Sequence, residues 1–160
     1  MKIGLDIGGT NSVFGIVDDN GNVLQAASLK TAEYATADDF VAASKALVLQ
    51  LIASSGISKG DITGMGIAAP NANHYTGEIC KAPNIQWAHD TAVPFVSLME
   101  EALGIACAIT NDANGAALGE KKYGAGKEFK DFIMITLGTG LGSGIIVNHD
   151  LLYGKNGLAG

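Results

Sequence analysis

Two glycine turns, each lying between apolar runs of β type, constrain this chain more than any other feature of its sequence. The first is Gly8-Gly9-Thr10-Asn11, between residues 2–7 and 12–18; the second is Gly138-Thr139-Gly140-Leu141, between 131–137 and 142–148. A strand that turns through glycines and returns as a strand is a hairpin signal. The chain holds 22 glycines, which gather at these turns, at Gly64-Met65-Gly66 and from Gly154 to Gly160. Glycine is required where the backbone takes positive φ or where another group approaches it closely. Clusters set between apolar strands therefore read as loops that hold a ligand rather than as flexible linkers.

The remaining elements follow from periodicity and punctuation. A third strand at 23–30 follows the turn Asp18-Asp19-Asn20-Gly21 and completes an antiparallel meander. Thr36 with Asp39 resembles a capping box opening a helix over 38–55, whose apolar face is Phe40, Leu47, Val48, Leu51 and Ile52 and whose stop is Gly56. A short buried strand is expected at 62–69, then a loop-rich stretch to residue 92 with a strand near 78–81. Pro94 opens a second helix bearing Phe95, Leu98, Met99 and Ala102, closed by Gly104. A strand at 105–110 leads into Asn111-Asp112, the start of a helix reaching Tyr123. A meander followed by alternating helices and strands argues for an α/β fold, a mixed sheet with flanking helices. The chain shows no internal repeat and no low-complexity segment.

Composition narrows the function classes. At 160 residues, 48% hydrophobic and 16% charged, the chain fits one globular domain. No apolar run approaches the ~20 residues needed to span a bilayer, and Asp6 comes too early for a signal peptide, so the cytoplasm is the expected compartment and no membrane is expected as a partner. A net charge of −6 with 10 scattered Lys and Arg disfavours nucleic acid as a partner. Cys80 and Cys107 lack ligand spacing and are expected to be reduced, buried thiols. His74, His89 and His149 share no ligand spacing either and read as surface or loop residues.

Three sites could carry chemistry. In Asp6-Ile7-Gly8-Gly9-Thr10-Asn11, backbone N–H groups of Gly8 and Gly9 could face a phosphate, Thr10 adds a donor, and Asp6 could hold Mg²⁺ directly or through water. A plain hairpin turn explains the same residues equally well. Gly138-Thr139-Gly140 forms a second candidate cradle. It is no Rossmann fingerprint, because strand follows it and the third glycine position falls on Ser143 or Ile145. A P-loop is absent, since Gly126-Lys127 is followed by Glu128. Asn111-Asp112 also suits a plain helix cap, yet a kinase acting on an alcohol needs a carboxylate to accept the hydroxyl proton, and Asn111 beside it could bind a sugar hydroxyl. The amide-rich loops Ala69-Pro70-Asn71-Ala72-Asn73-His74 and Ala82-Pro83-Asn84-Ile85-Gln86-Trp87 suit polyols, although Asn and Pro also form ordinary turns and Trp87 also suits a core.

Together Asp6-Ile-Gly-Gly-Thr10, Ala82-Pro-Asn-Ile85, Asn111-Asp112-Ala-Asn114-Gly-Ala-Ala-Leu-Gly119 and Thr136-Leu-Gly-Thr-Gly-Leu-Gly-Ser-Gly144 resemble the ROK family of bacterial sugar kinases and repressors, most closely its glucokinase-type members. The resemblance spans the whole chain. It implies an actin/hexokinase-type (ribonuclease H-like) lobe and an active site between two lobes. It further implies Asp112 as the base, Asn111, Asp112, Asn84 and Asn71 on the sugar side, and Gly8, Gly9, Thr10, Asn11, Gly138, Thr139 and Gly140 toward the ATP phosphates. Asp6 would lie near Mg²⁺. Glucose is the favoured acceptor, with N-acetylmannosamine, N-acetylglucosamine, fructose and allose compatible, and a homodimer is compatible too.

Departures qualify the resemblance. Asn11-Ser12 stands where many members carry lysine, and Ala69-Pro70-Asn71 replaces a glycine-proline-glycine loop. The glycine-rich end at Gly157-Leu158-Ala159-Gly160 reads as a cut before the family's further sugar ligands, its structural Zn²⁺ site and most of the adenine pocket. Residues 1–160 are thus expected to be the N-terminal lobe, inactive alone. The alternatives are a sugar-sensing regulator, whose helix-turn-helix would precede the first glycine motif, a non-catalytic sugar-binding protein, and an actin-like ATPase that needs no sugar.

Overall fold

The computed structural model describes residues 1–138, 140–157 and 159. The chain opens with the expected meander: β1 (Lys2–Ile7), β2 (Ser12–Val17) and β3 (Val23–Leu29), each antiparallel to the next. Alternation decides their faces: Ile3, Leu5, Ile7, Phe14 and Ile16 point into the core. Helix α1 (Ala37–Ser55) follows. Thr36 Oγ1 accepts from the Asp39 N–H at 3.1 Å and donates to Asp39 Oδ2 at 2.7 Å. Gly56, in the left-handed region with φ 70°, ends the helix. Of the expected apolar face, Phe40, Val48, Leu51 and Ile52 are buried and Leu47 is half-buried. Ser44 joins the buried side because its hydroxyl donates to the Phe40 carbonyl.

Next come β4 (Met65–Ala68), the short β5 (Ala72–Asn73), β6 (Glu78–Cys80) and β7 (Ala92–Val93), then α2 (Phe95–Leu103) and β8 (Cys107–Thr110). Strand β4 is shorter than the expected 62–69 because Ser58 and Asp61 cap a 3₁₀ turn over Lys59–Asp61. Strand β8 likewise starts late, since the Glu100 carboxylate takes the Cys107 N–H. Both thiols are only partly buried, a correction to the expectation of buried cysteines. Strands β5 and β7 escape sequence reading because two residues show no period.

Helix α3 (Asp112–Tyr123) leads to β9 (Phe132–Leu137), β10 (Leu141–Val147) and β11 (Asp150–Leu151). The main sheet has the order β3-β2-β1-β4-β8, with β4 parallel to β1 and β8 parallel to β4. Two smaller antiparallel sheets are β5-β6-β7 and β11-β10-β9. Helices α1 and α2 pack together over one face of the main sheet, around stacked Phe40, Trp87 and Phe95 with Phe40–Trp87 ring centroids 5.1 Å apart. Trp87 is therefore core. The other face carries a row of side-by-side small residues, Ala26, Gly15, Gly4, Gly66 and Ala108. With α3 it borders a cavity of about 990 Å³. No helix among the described residues is long and apolar enough to cross a membrane.

Candidate active site

Asp6 lies at the carboxyl end of β1, and Asp112 is the first residue of α3. Both line the larger cavity. Register places Asp6, Ala68 and Thr110 side by side on adjacent strands. The Asp6 carboxyl is pushed above its ordinary range by burial and by the nearby negative charge of Asp112. A pair of hard oxygen donors whose charges repel across a cleft fits a divalent cation such as Mg²⁺. Among the described residues no group of three or more His, Cys, Asp or Glu gathers at one point.

The start of α3 explains the posture of Asp112. Asn111 caps the helix, its Oδ1 accepting from the Asn114 N–H at 2.7 Å. Asp112 Oδ1 accepts from the Ala113 N–H at 2.9 Å, and Oδ2 has no hydrogen-bond partner among the described residues. The carboxylate is exposed at a helix N-terminus, where the backbone dipoles complement its charge. Capping and the exposure of a free carboxylate oxygen are thus compatible roles for one polar step.

A second, smaller pocket of about 310 Å³ brings together Asn71, Asn111 and Asp112 with Gly142 at the start of β10. Asn71 holds φ at 52°. Its Nδ2 donates to the Lys81 carbonyl at 2.9 Å, which leaves its Oδ1 free of protein partners among the described residues. The close seating of β10 on α3 places that wall: a Cβ at Gly144 would lie 2.5 Å from Ala117 Cβ and 2.8 Å from the Ala113 carbonyl.

The first glycine turn closes with the Gly8 N–H on the Asn11 carbonyl at 3.0 Å. It is anchored below by the buried hydroxyl pair Ser12–Thr31 at 2.7 Å. Thr10 and Asn11 are exposed. Asn84 packs on this turn, its carbonyl 2.6 Å from where a Gly9 Cβ would stand; it lines neither cavity. In the second turn the Gly138 N–H donates to the Gly140 carbonyl at 3.0 Å, while Thr139 lies outside the described residues. Nothing approaches within 4 Å of the Cβ positions of Gly138 or Gly140, and the flanking Leu137 and Leu141 are 84% and 77% exposed.

Sequence reasoning passed over Thr110, His74 and Tyr153, which line the larger cavity with Asp112. His74 stands in the turn between β5 and β6, as a surface or loop reading expects, and is half-buried with its ring stacked on Tyr153. The register of β8 against β4 could have flagged Thr110, because it aligns with Asp6; the other two come from distant loops with no local signal.

The chain matches the ROK family over residues 2–160. A glucokinase of Streptomyces coelicolor is 38% identical over 163 residues, covering 99% of this chain and 47% of the relative. A beta-glucoside kinase of Listeria monocytogenes is 34% identical, covering 100% of this chain and 51% of the relative. The crystal structure of a ROK family glucokinase from Streptomyces griseus, in complex with glucose and AMPPNP, is 39% identical with a TM-score of 0.79, covering 99% of this chain and 48% of that one. The chain thus spans about half the length of these relatives. Its mixed sheet and flanking helices have the actin/hexokinase-type fold of these neighbours. By sequence along almost its entire length and by fold, the chain belongs to the ROK family.

Proposed function

We propose that this chain is the first lobe of an ATP-dependent sugar kinase, with Asp112 as the general base. The observation that carries the reading is the pocket in which Asp112 meets Asn111 and Asn71, with Asp6 nearby at the end of β1. Relatives named glucokinase make a hexose, and glucose among hexoses, the favoured acceptor, and AMPPNP in the Streptomyces griseus complex supports ATP as the donor.

Asn111 and the free Oδ1 of Asn71 would hold sugar hydroxyls. The reacting hydroxyl gives its proton to Asp112 Oδ2 as its oxygen bonds to the γ-phosphorus; the bond from that phosphorus to the β,γ-bridging oxygen breaks and ADP leaves. Oδ1 stays bound to the Ala113 N–H and holds the carboxylate's orientation. Gly9, Thr10 and Asn11 on one side, and Thr139 and Gly140 on the other, would offer N–H and hydroxyl donors to the phosphates, while Gly8 and Gly138, whose N–H groups close the two turns on the Asn11 and Gly140 carbonyls, would let the backbone approach them. Asp6 would hold Mg²⁺, directly or through water, and the ion when bound supplies charge neutralisation of the phosphates. Asn84 would act from behind the first turn, through its packing on Gly9.

The test is sugar-stimulated ADP release with Mg-ATP across a hexose panel, in the protein carrying this chain at the length of its relatives. One sugar should stimulate release and Asp112→Asn should abolish it. Stimulation by no sugar, in a folded protein, would replace this reading with a sensor or a sugar-independent ATPase. Residues 1–160 alone should release no ADP, because a cleft that excludes water needs both walls.

A further inference from the structure

We propose that the stacked pair His74–Tyr153 positions Asp112, by gripping the end of β8 just before Asn111-Asp112. This rests on the reading of Asp112 as the base. Among the described residues strand β8 is the edge of the main sheet, paired only with β4. Its outer side therefore has no ladder to fix it, and the chain leaves this edge to enter the catalytic step.

His74 Nδ1 lies 3.1 Å from the Ile109 carbonyl. A carbonyl can only accept, so Nδ1 carries the proton and donates. The Tyr153 ring lies flat on the imidazole, with centroids 4.0 Å apart and planes 9° from parallel. Thr110, the residue after Ile109, is 8% exposed and its Oγ1 has no hydrogen-bond partner. Tyr153 and Thr110 line the same cavity. Ile109 is thus held from outside by the aromatic pair, two residues before Asn111.

The pair is itself held. The hairpin of β5 and β6 carries His74 between its strands, and it ties to the segment after β11 through Asn73 Nδ2 on the Asn156 carbonyl at 3.0 Å and the Tyr75 hydroxyl on the Gly154 carbonyl at 3.1 Å. Strand β11 belongs to the sheet that bears the second glycine turn. Tyr153 therefore links that sheet to the residues just before the base, so the phosphate side and the base move as one unit.

The experiment is steady-state kinetics of Tyr153→Leu and His74→Ala in the protein at the length of its relatives, with His74→Gln and Tyr153→Phe as gentler variants. Misplacement of a reacting group by about 1 Å can cost ~100-fold. Tyr153→Leu should lower kcat at least about tenfold on that scale while KM for sugar and for ATP stays within about threefold. His74→Gln, which can still donate to the Ile109 carbonyl, should retain more kcat than His74→Ala, and Tyr153→Phe, which keeps the stack, more than Tyr153→Leu. If Leu or Ala fails to fold, the ordering of the gentler variants against wild type carries the test. Wild-type kcat in all four, or a loss confined to KM, overturns the positioning role. Wild-type turnover in Asp112→Asn would instead overturn the assignment of the base.

Discussion

Gly144→Ala tests whether the seat of α3 on β10 places Asp112. A methyl at this position would lie 2.5 Å from Ala117 Cβ, 2.8 Å from the Ala113 carbonyl oxygen and 3.2 Å from Asn114 Cα. Two of the three obstacles are helix backbone, which cannot rotate aside, so the helix must lift or the strand must bow. Overpacking of this kind costs about 1–3 kcal/mol. For a chain of this size that corresponds to a fall in Tm of roughly 2–12 °C. Gly4→Ala is the internal control, because nothing stands within 4 Å of its Cβ. There the methyl should be neutral or stabilising by up to about 1 kcal/mol, since glycine within a strand carries an entropic penalty. Urea unfolding of residues 1–160 and both variants measures the difference directly, with unchanged slopes indicating an unchanged unfolded state. Equal midpoints for Gly144→Ala and wild type would refute the reasoning, as would an equal loss at Gly4. The displaced helix begins at Asp112, so Gly144→Ala should also depress kcat in the longer protein more than its stability loss accounts for.

Three further outcomes follow from single groups. The folded pKa of Asp6 lies above its ordinary value of 3.8, so its contribution to stability is complete below that value and is lost as pH rises through the folded pKa. Asp6→Asn should then raise Tm at pH 7 and leave it unchanged below that value; a lower Tm at pH 7 would contradict the sign. Asn111→Ala should destabilise by about 1 kcal/mol through loss of the cap on the Asn114 N–H, visible as a lower urea midpoint. The Cys107 thiol is pushed up to about 11 from 9.0, by burial and by the Glu100 carboxylate. Alkylation of Cys107 at pH 8 should accordingly run about 100-fold slower than in the denatured chain, and equal rates would show that the thiol is not so perturbed.

The local elements were legible because each has a local cause. Paired glycines between apolar runs marked β1–β2 and β9–β10, and Thr36, Gly56, Gly104 and Asn111 marked helix ends through groups they satisfy within a few residues. The short strands β5, β7 and β11 were not legible, since two residues carry no period and exist only by pairing with distant partners. Within the site, Asp6, Asn111 and Asp112 were named from residue type and position alone. Sequence could not place Asn71 in one pocket with Asn111, or show that Asn84 packs on Gly9.

The sequence by itself determined the chemistry on offer: a free carboxylate after a strand, an Asn-Asp step at a helix start, and two glycine turns. Tertiary structure alone decided which of these meet. Parallel pairing of β1, β4 and β8 lines up Asp6 with Thr110, and the bare backbone of Gly144 lets α3 settle on β10 beside the pocket. His74 and Tyr153 are 79 positions apart in number and acquire a role only because two loops fold onto the same strand edge. Backbone propensity acts over a few residues, whereas a site is assembled by burial and register across the whole chain, which no local pattern encodes.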